Sequence, residues 1–464
     1  MPEVRVPAPG GHGQSVVFQS RPVPALELTR RLRRSVLDLE PAFGPADVIS
    51  ARLGRSYWHF GRSPEWARHV IGSRSMWADL DVLPLGLGHH REYYAMGGLP
   101  GAPPEHHRLA RHTAVACFKE AADGGPVDSA LAAATRLASS VGGSVDVRAF
   151  TRALFLRTTA AAIMGVDLDD STLRQVLDWF DRWTAIMSNP LVVVGQPMLP
   201  FTPAGRLRQI LAPWYRYLAA LLDEGAPAPG LVSALRERVA AGMPVPEAVG
   251  YLATIMFAGT EPPAHTLMWA YAHCVAVEEA ADGGGGYGGA GPGGGEAGGG
   301  EDGGAGPGGA GPGGASVRVG SLGPLDSRRT EGLMWESIRV QPAVNLIVRR
   351  ISASPSDYKS ESADTFVVLP PLVHRGSNQR RGLPLTFTPP AFAPAAGAAG
   401  RLDPDDYPGL GCGAHHCIGA RFGIEVGSQA LLYLLEKATV VGPPDLTPAG
   451  VITSQPRRLP SIIM

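Results

Sequence analysis

Cys417 is the residue best placed for chemistry in this chain. It lies in a short loop between Gly411 and Gly419, and a segment of helix-forming composition, residues 421–436, follows at once. The glycines permit a tight backbone turn that side chains would block. A thiolate at a helix N-terminus is stabilised by the backbone N–H groups and the helix dipole, and a thiolate is a strong metal ligand. The pattern therefore predicts a cysteine that ligates a metal.

Two other interpretations of this loop remain open. Cys412, His415, His416 and Cys417 are all possible zinc ligands, although four ligands so close in sequence can hardly surround a tetrahedral ion. The sequence also has no second Cys-x-x-Cys arm. A buried structural cysteine is the ordinary interpretation of an isolated cysteine. The flanking glycines and the following helix favour the metal ligand over both.

The composition limits the classes of protein to consider. The chain has 464 residues, of which 44% are hydrophobic and 18% are charged, and its formal net charge is -1. This length supports a large core, and the near-neutral charge disfavours nucleic acid as the main partner. Four cysteines in so long a chain suggest no disulfide framework, and no apolar run reaches the roughly 18 residues of a membrane span. No hydrophobic signal core follows Met1, so we expect a soluble cytoplasmic protein.

Helical spacing of apolar residues dominates the sequence. Helices are predicted at residues 64–71, 103–122, 147–164, 171–187, 204–224, 246–281, 332–340 and 421–436. Short strands are predicted at residues 57–60, 344–351 and 365–369, and residues 1–30 are expected to be extended and loosely held. The fold class is therefore mainly α with minor β structure.

Residues 283–314 differ in composition from the rest of the chain. They are almost pure glycine, with alanine, proline and a few acidic residues. Such a segment cannot bury apolar area, so we expect a disordered insertion. It falls between two predicted helices, far in sequence from Cys417, and is expected to be tolerated there.

The loop around Cys417 resembles the proximal haem loop of the cytochrome P-450 family, Phe-x-x-Gly-x-(His/Arg)-x-Cys-x-Gly. Gly413, His415, Cys417 and Gly419 fall in register with that motif, and Leu410 stands where the family has phenylalanine. The resemblance implies that haem b lies between a long central helix and the helix after the loop. Cys417 is then the axial ligand of the iron, and a thiolate pushes electron density onto haem iron in a way that favours O–O cleavage.

Two further segments are similar to the same family. Glu336 and Arg339 match its Glu-x-x-Arg helix motif, in which both side chains lie on one helix face and can pair. Alone, this spacing is also typical of a surface ion pair of little energetic value. By resemblance, Glu336 and Arg339 hold the proximal core together and Arg349 pairs with a haem propionate. His106, in a segment similar to a Pro-Pro-Glu-His helix start, and His415 are implied as further propionate partners.

Ala258, Gly259, Thr260 and Glu261 resemble the family's oxygen-binding groove, (Ala/Gly)-Gly-x-(Asp/Glu)-Thr. Pro262 stands where the family has the threonine that steadies dioxygen and relays protons. Pro262 and the proline after it have no N–H, so two carbonyls lose their i+4 donors and can anchor water. Water, Thr260 or a substrate hydroxyl then carries protons, with Glu261 as the acid of the relay. A proline kink made only for packing is the alternative interpretation.

The resemblance covers about residues 57–441 and implies one cytochrome P-450-like domain over residues 1–464. It implies a monooxygenase that oxidises a small to medium hydrophobic molecule, with O2 as co-substrate, in bacterial secondary metabolism. No flavin or nicotinamide module is visible in the sequence, so a ferredoxin and a ferredoxin reductase are the expected electron donors. One alternative is a haem-thiolate enzyme that performs oxidative coupling, rearrangement or peroxide-driven chemistry. The other is a non-catalytic auxiliary protein, which the presence of Cys417 disfavours because auxiliary members lack the ligand cysteine.

Overall fold

Helices make up most of the described chain. A computed structural model describes residues 2–7, 15–32, 34–53, 56–72, 76–77, 104–122, 130–132, 134–135, 144–187, 201–282, 324–351, 364–388, 408–411, 416–450 and 453–463. The helices are α1 Ala25–Leu32, α2 Glu40–Phe43, α3 Pro64–Gly72, α4 Pro104–Ala122, α5 Val147–Thr158, α6 Asp170–Met187, α7 Pro203–Glu224, α8 Leu231–Ala240, α9 Val245–Ala258, α10 Glu261–Asp282, α11 Ser327–Val340, α12 Pro370–Arg380 and α13 Ala420–Lys437. A 3-10 turn, Val36–Leu39, precedes α2, and a π-helical segment, Thr159–Met164, continues α5.

Local signals explain where several helices begin. The Ser63 hydroxyl accepts a hydrogen bond from the Trp66 N–H at 3.2 Å, and Pro64 occupies the first turn of α3, where its missing N–H costs nothing. Asp146 caps α5 by accepting bonds from two backbone N–H groups of the first turn, at 2.8 and 3.2 Å. The predictions for residues 64–71, 103–122, 171–187, 204–224 and 421–436 are confirmed to within one residue at each end.

The prediction of a single helix over residues 246–281 is wrong. The structure has two helices, α9 and α10, separated at Gly259 and Thr260. Inside one continuous helix, Pro262 and Pro263 would each remove a hydrogen bond at a cost of about 3 kcal/mol or more. A new helix that starts at Glu261 puts both prolines in its first turn, where N–H groups have no intrahelical acceptor.

Seven of the described strands form one sheet, in the order β1-β2-β3-β4-β8-β7-β5. Its strands are β1 Glu3–Pro7, β2 Ser15–Pro22, β3 Val48–Leu53, β4 Ser56–Gly61, β5 Met76–Trp77, β7 Ile347–Ile351 and β8 Thr365–Val368. The β2–β3 and β4–β8 pairs are parallel, and the others are antiparallel. A second sheet is the hairpin of β10 Asp445–Ala449 and β11 Gln455–Arg458. A third sheet has three strands, in the order β6 Ser144–Val145, β12 Ser461–Ile463 and β9 Thr439–Val441.

Apolar side chains bury both faces of the large sheet. Along β8, Val367 packs on the face that carries α1 and α2, whereas Phe366 and Val368 pack on the opposite face with Trp66 of α3. This alternation follows from the two-residue period of a strand. The strand predictions at residues 57–60 and 365–369 are confirmed.

The expectation that residues 1–30 are loosely held is wrong for the described part of that segment. β1 pairs with β2, and β2 pairs with β3, so both strands belong to the large sheet. Val4, Val6 and Phe18 are buried against α3 and the sheet. Only the tertiary fold supplies the partner surface that these alternating apolar residues need.

α10 runs through the centre of the helical part. It packs against α5, α11 and α13, and α11 in turn packs against α13. Leu267, Trp269 and Tyr271 expose at most 1% of their surface, as expected for a helix that is apolar all round. Near the start of α13, Gly423 lies against Pro263, where an added Cβ would be 3.4 Å from the proline ring. The packing therefore brings the break between α9 and α10 next to the start of α13.

Four of the described helices, α1, α2, α8 and α12, were missed by sequence reasoning. α8 has weak apolar periodicity, and α12 begins with two prolines and continues with polar residues and a glycine, a composition typical of loops. Residues 283–314 lie outside the described residues. None of the described helices combines the length and the hydropathy of a membrane span.

Gly61→Ala is expected to lower the thermal unfolding midpoint. An added Cβ would overlap the Trp66 indole, whose N–H donates to the Val367 carbonyl at 2.9 Å. Overpacking of this kind costs about 1–3 kcal/mol. Gly376→Ala is the matched control, because its Cβ would lie 3.8 Å from the nearest atom and alanine is favoured in a helix by about 1 kcal/mol. A midpoint for Gly61→Ala at or above that of Gly376→Ala would contradict this packing.

Candidate functional site

An apolar cavity lies between the helix break and the start of α13. Its empty volume is about 840 Å³, including its mouth to solvent. Four parts of the described chain line it: Phe118 of α4; Ile255, Ala258, Gly259, Pro262, Pro263 and Thr266 around the break; Met334, Ile338, Pro342, Ala343 and Val344 in and after α11; and Gly409, Leu410, Cys417, Ile418, Gly419, Ala420, Phe422, Gly423 and Ile424. None of these described lining residues carries an acidic or basic side chain, so the cavity suits a largely apolar group.

Cys417 presents an exposed thiol to this cavity. Its backbone N–H donates to the Leu410 carbonyl at 2.7 Å, which fixes the loop, and Gly419 follows as the N-cap of α13. Although the thiol borders open space, protein surrounds the cavity, and the resulting loss of hydration raises the pKa of Cys417. The backbone N–H groups of Gly419 and Ala420 and the charge of Arg111 act in the opposite direction. The groups that favour a thiolate are therefore already in place around the sulfur.

A second part of the cavity wall is the break between α9 and α10. Pro263 leaves the Gly259 carbonyl without its i+4 donor, and the Thr159 hydroxyl donates to that carbonyl at 2.9 Å. Gly259 permits this approach, because a Cβ there would lie 2.7 Å from the Thr159 side chain. Thr159 begins the π-helical segment, an irregularity that is frequent at functional sites. Pro262 likewise removes the i+4 donor of the Ala258 carbonyl.

Only two of the four residues of the predicted oxygen groove are among the described residues that line the cavity. Ala258 and Gly259 line the cavity. Thr260 is fully buried, and its hydroxyl donates to the Met256 carbonyl at 2.7 Å instead of facing the cavity. Glu261 is buried as well and contacts α5. The hydroxyl and the carboxylate of this segment therefore lie behind the cavity wall.

Glu261 belongs to a charge network that reaches the protein surface. One carboxylate oxygen accepts a hydrogen bond from Arg152 Nε at 2.7 Å, and the other lies 3.5 Å from His265 Nε2. Arg152 also donates through Nη1 to Asp181 at 2.7 Å. Arg152 is buried, whereas the Asp181 side chain is 66% exposed. The network thus connects the helix break with solvent.

Burial dominates the titration of this network. It raises the pKa of Glu261, against the charge and hydrogen bond of Arg152. Burial, followed by the positive charges of Arg152 and Arg148, lowers the pKa of His265 to about 3. His265 is therefore neutral near pH 7, and its Nδ1 has no hydrogen-bond partner among the described residues.

Glu336 and Arg339 pair on α11, as their spacing predicts. Arg339 Nε and Nη2 donate to the two carboxylate oxygens at 2.7 and 2.6 Å, and both side chains are buried. Arg339 also donates to the carbonyls of Pro384 and Thr386 at 2.6 and 3.2 Å. The Thr388 N–H donates to Glu336 at 2.9 Å. The interpretation as a surface ion pair is therefore wrong, since the pair ties residues 384–388 to α11.

The predicted propionate partners are only partly described. Gly413 and His415 lie outside the described residues, and His106 is on α4 at a position where the side chain is outside the described part. Arg349 is buried on β7, where its Nη1 donates to the Val348 carbonyl at 2.8 Å. It is not among the described residues that line the cavity.

Sequence reasoning missed several residues of the site. Arg152 gave a signal, because a charged residue within the predicted helix at residues 147–164 needs a partner wherever that helix is buried. Thr159 and His265 gave none, since their partners depend on how the helices pack. Thr266 lines the cavity, with its hydroxyl donating to the Pro262 carbonyl at 3.0 Å.

The described cavity fits the haem that the sequence resemblance implies. A thiol faces an apolar space from the N-terminal end of a helix. A Cβ at Gly419 would lie 3.2 Å from the Phe118 ring, so a side chain there would crowd the space beside the sulfur. Phe118 and Phe422 pack edge to face at 5.7 Å and close that side of the cavity.

Solved structures are similar to this chain over nearly its whole length. CYP164A2 from Mycobacterium smegmatis, in its ligand-free state, is 17% identical with a TM-score of 0.61, covering 95% of this chain and 99% of its own. CYP175A1 from Thermus thermophilus is 18% identical with a TM-score of 0.64 and coverages of 96% and 99%. A six-coordinated cytochrome P-450 from another strain of Thermus thermophilus is 16% identical with a TM-score of 0.60 and coverages of 93% and 99%. No protein-family model and no curated protein matches the sequence. The structural likeness confirms the predicted fold.

Arg152→Met is expected to destabilise the protein strongly, because it leaves the Glu261 carboxylate buried without its ion-pair partner. Breaking a buried pair in this way costs about 3–5 kcal/mol, which denaturant titration can measure. Arg152→Met/Glu261→Gln removes both charges and should recover most of the loss.

The loss of free energy of unfolding in Arg152→Met should also become smaller as the pH falls. Burial holds the pKa of Glu261 above its ordinary value, and removal of Arg152 takes away the main opposing effect. Protonation of Glu261 therefore stabilises the folded variant, and stability declines as the pH rises toward the raised pKa. A loss that is independent of pH and persists in the double variant would contradict the ion pair.

Proposed function

We propose that this chain, which has the cytochrome P-450 fold, is a haem-thiolate monooxygenase that oxidises a small to medium hydrophobic molecule with O2. The observation that carries the proposal is the position of the Cys417 thiol. It borders the same apolar cavity as a helix break at which two carbonyls have lost their i+4 donors. A cysteine that served packing alone would not need a cavity in front of its sulfur.

Cys417 is the residue that would hold the iron, with Gly419 and Gly413 shaping the loop around it. The backbone N–H groups of Gly419 and Ala420 stabilise the thiolate. His106, His415 and Arg349 are proposed to bind the propionates. When bound, haem with a thiolate ligand supplies activation of O2, because the sulfur donates electron density that favours O–O cleavage.

Haem and substrate are proposed to share this cavity, and the lining that haem leaves open would favour an apolar substrate. Ile255, Met334 and Ile338 contribute aliphatic surface, and no charged side chain is among the described lining residues. A hydrophobic molecule gains about 25 cal/mol for each Å² of apolar surface that it buries in such a pocket. Its polar groups would meet few partners there, so the cavity disfavours a charged group in the substrate.

Glu261 is proposed to hold the proton that the reaction consumes. Its raised pKa places the carboxyl closer to neutral pH than an exposed glutamate, which suits an acid. Arg152 keeps its protons, so it orients the Glu261 carboxyl and does not carry a proton from Asp181. The Ala258 and Gly259 backbone, at the wall of the cavity, is where water would carry the proton from Glu261 to the substrate side.

Pro262 favours a second candidate function, a haem-thiolate enzyme that is not a monooxygenase. Its ring supplies no hydroxyl where the family has a threonine, and Thr260 directs its own hydroxyl to the Met256 carbonyl. An enzyme that uses peroxide, or that couples or rearranges its substrate, depends less on proton delivery. A non-catalytic auxiliary protein is disfavoured, because such a protein has no need of Cys417.

The wider setting of the enzyme follows from the family resemblance. We propose a single domain over residues 1–464, with residues 283–314 as an insertion that the reaction does not need. Ferredoxin and ferredoxin reductase are proposed as electron donors, and bacterial secondary metabolism in the cytoplasm as the setting.

Cys417→Ala is expected to abolish thiolate ligation of haem. The wild-type protein, reduced under carbon monoxide, should show the strongly red-shifted absorption band that gives the family its name, because sulfur is the axial ligand. Cys274→Ala is the matched control, since Cys274 is buried in α10 and does not line the cavity. A wild-type spectrum typical of histidine ligation would reject the proposal.

Glu261→Gln is expected to slow turnover with O2 about tenfold or more, and turnover with hydrogen peroxide much less, because general acid catalysis contributes roughly 10²–10⁴-fold. Peroxide already carries the protons that O2 must collect. Glu247→Gln, on α9, removes a carboxylate outside the network and should change neither rate. Equal losses with both oxidants would remove Glu261 from the relay.

A further inference from the structure

A second cleft lies between the N-terminal helices and the C-terminal hairpin, outside the cavity that Cys417 faces. Its empty volume is about 1270 Å³, including its mouth to solvent. Arg30 of α1, with Arg34 and Asp38 beyond it, lines one side, and Gly450 and Arg457 of the hairpin region line the other. Unlike the apolar cavity, this cleft is lined by charged side chains.

Positive charge prevails in the cleft, although the chain as a whole has a formal net charge of -1. Of the described residues, three arginines and one aspartate line it. Within the described part of the chain, Arg30, Arg34 and Arg457 make no ion pair with a carboxylate, whereas the neighbouring Arg31 is paired with Glu27 at 2.9 Å. The three lining guanidinium groups therefore keep their donors available for a ligand.

Both sides of the cleft are fixed by hydrogen bonds. On the helical side, Arg31 Nη1 donates to the Asp38 carbonyl at 3.0 Å and ties α1 to the 3-10 turn. On the hairpin side, Asn345 Nδ2 donates to the Gly450 carbonyl at 3.0 Å, and the Ser454 N–H donates to the Ala343 carbonyl at 2.7 Å. The arginines thus project from a framework that a ligand need not order, which favours binding.

We propose that this cleft is a binding site for the oxyanion group, phosphate or carboxylate, of a small polar molecule. Guanidinium groups present paired donors that match both oxyanions, and such charge-assisted bonds are about twice as strong as neutral ones. Three arginines against one aspartate favour a ligand with more than one negative charge. Among the described residues, the lining of this cleft shares no member with that of the apolar cavity.

Isothermal titration calorimetry of the full-length chain tests this site with pyrophosphate and citrate as probes, at low ionic strength. Saturable binding of at least one probe is expected. Arg34→Gln and Arg457→Gln should each weaken it about tenfold, the loss of one charge-assisted contact. Arg458→Gln is the matched control, because it removes the next arginine on the same strand, which does not line the cleft.

Asp38→Asn tests the site in the other direction, because this variant should bind the probes more tightly. It removes the negative charge of the one acidic residue among the described lining residues and should tighten binding of both probes several-fold, which a merely structural effect would not do. Binding of pyrophosphate alone assigns the ligand to phosphates, and binding of citrate alone assigns it to carboxylates. No saturable binding of either probe, or an equal loss in Arg458→Gln and Arg457→Gln, overturns the proposal.

Discussion

Two missing backbone donors organise the centre of this protein. Pro262 and Pro263 cannot give their N–H groups to the carbonyls one turn earlier, so a continuous helix through them is too costly. The chain responds by ending α9 and starting α10 at Glu261. Because the break packs against the start of α13, it lines the same cavity as Cys417. The apolar lining, the exposed backbone and the facing thiol all follow from that arrangement.

The same break separates apolar from ionic surroundings within a few residues. Ala258 and Gly259 face the cavity, whereas Glu261 turns to Arg152 and, through it, to solvent at Asp181. The protein thereby keeps charge out of the space where a hydrophobic molecule would bind, yet holds a titratable group one helical turn away. The motif that this segment resembles has a threonine hydroxyl at the position of Pro262. Because Pro262 has no hydroxyl, the apolar cavity wall and the ionic network are separated more completely here.

Local signals in the sequence were enough for the outline of this site. Glycine, cysteine and the following apolar periodicity defined the Cys417 loop and α13, and the spacing of Glu336 and Arg339 defined their pairing. Partners that meet only through tertiary packing could not be predicted: Arg152 and Glu261 are 109 residues apart. The two prolines predicted a kink, but not that one helix ends and another begins. The break also involves a tertiary contact, in which the Thr159 hydroxyl donates to the Gly259 carbonyl. The arginine cleft also joins distant parts of the chain, which no local spacing reveals.

Cys417 is proposed to bind haem iron through its sulfur. The most direct measurement is the electron paramagnetic resonance spectrum of the purified ferric protein, together with its haem content. We expect one haem per chain and the narrow spread of g values that is typical of low-spin iron with a thiolate ligand. A protein that remains without haem when supplied with ferric protoporphyrin, or a spectrum typical of two nitrogen ligands, would contradict it.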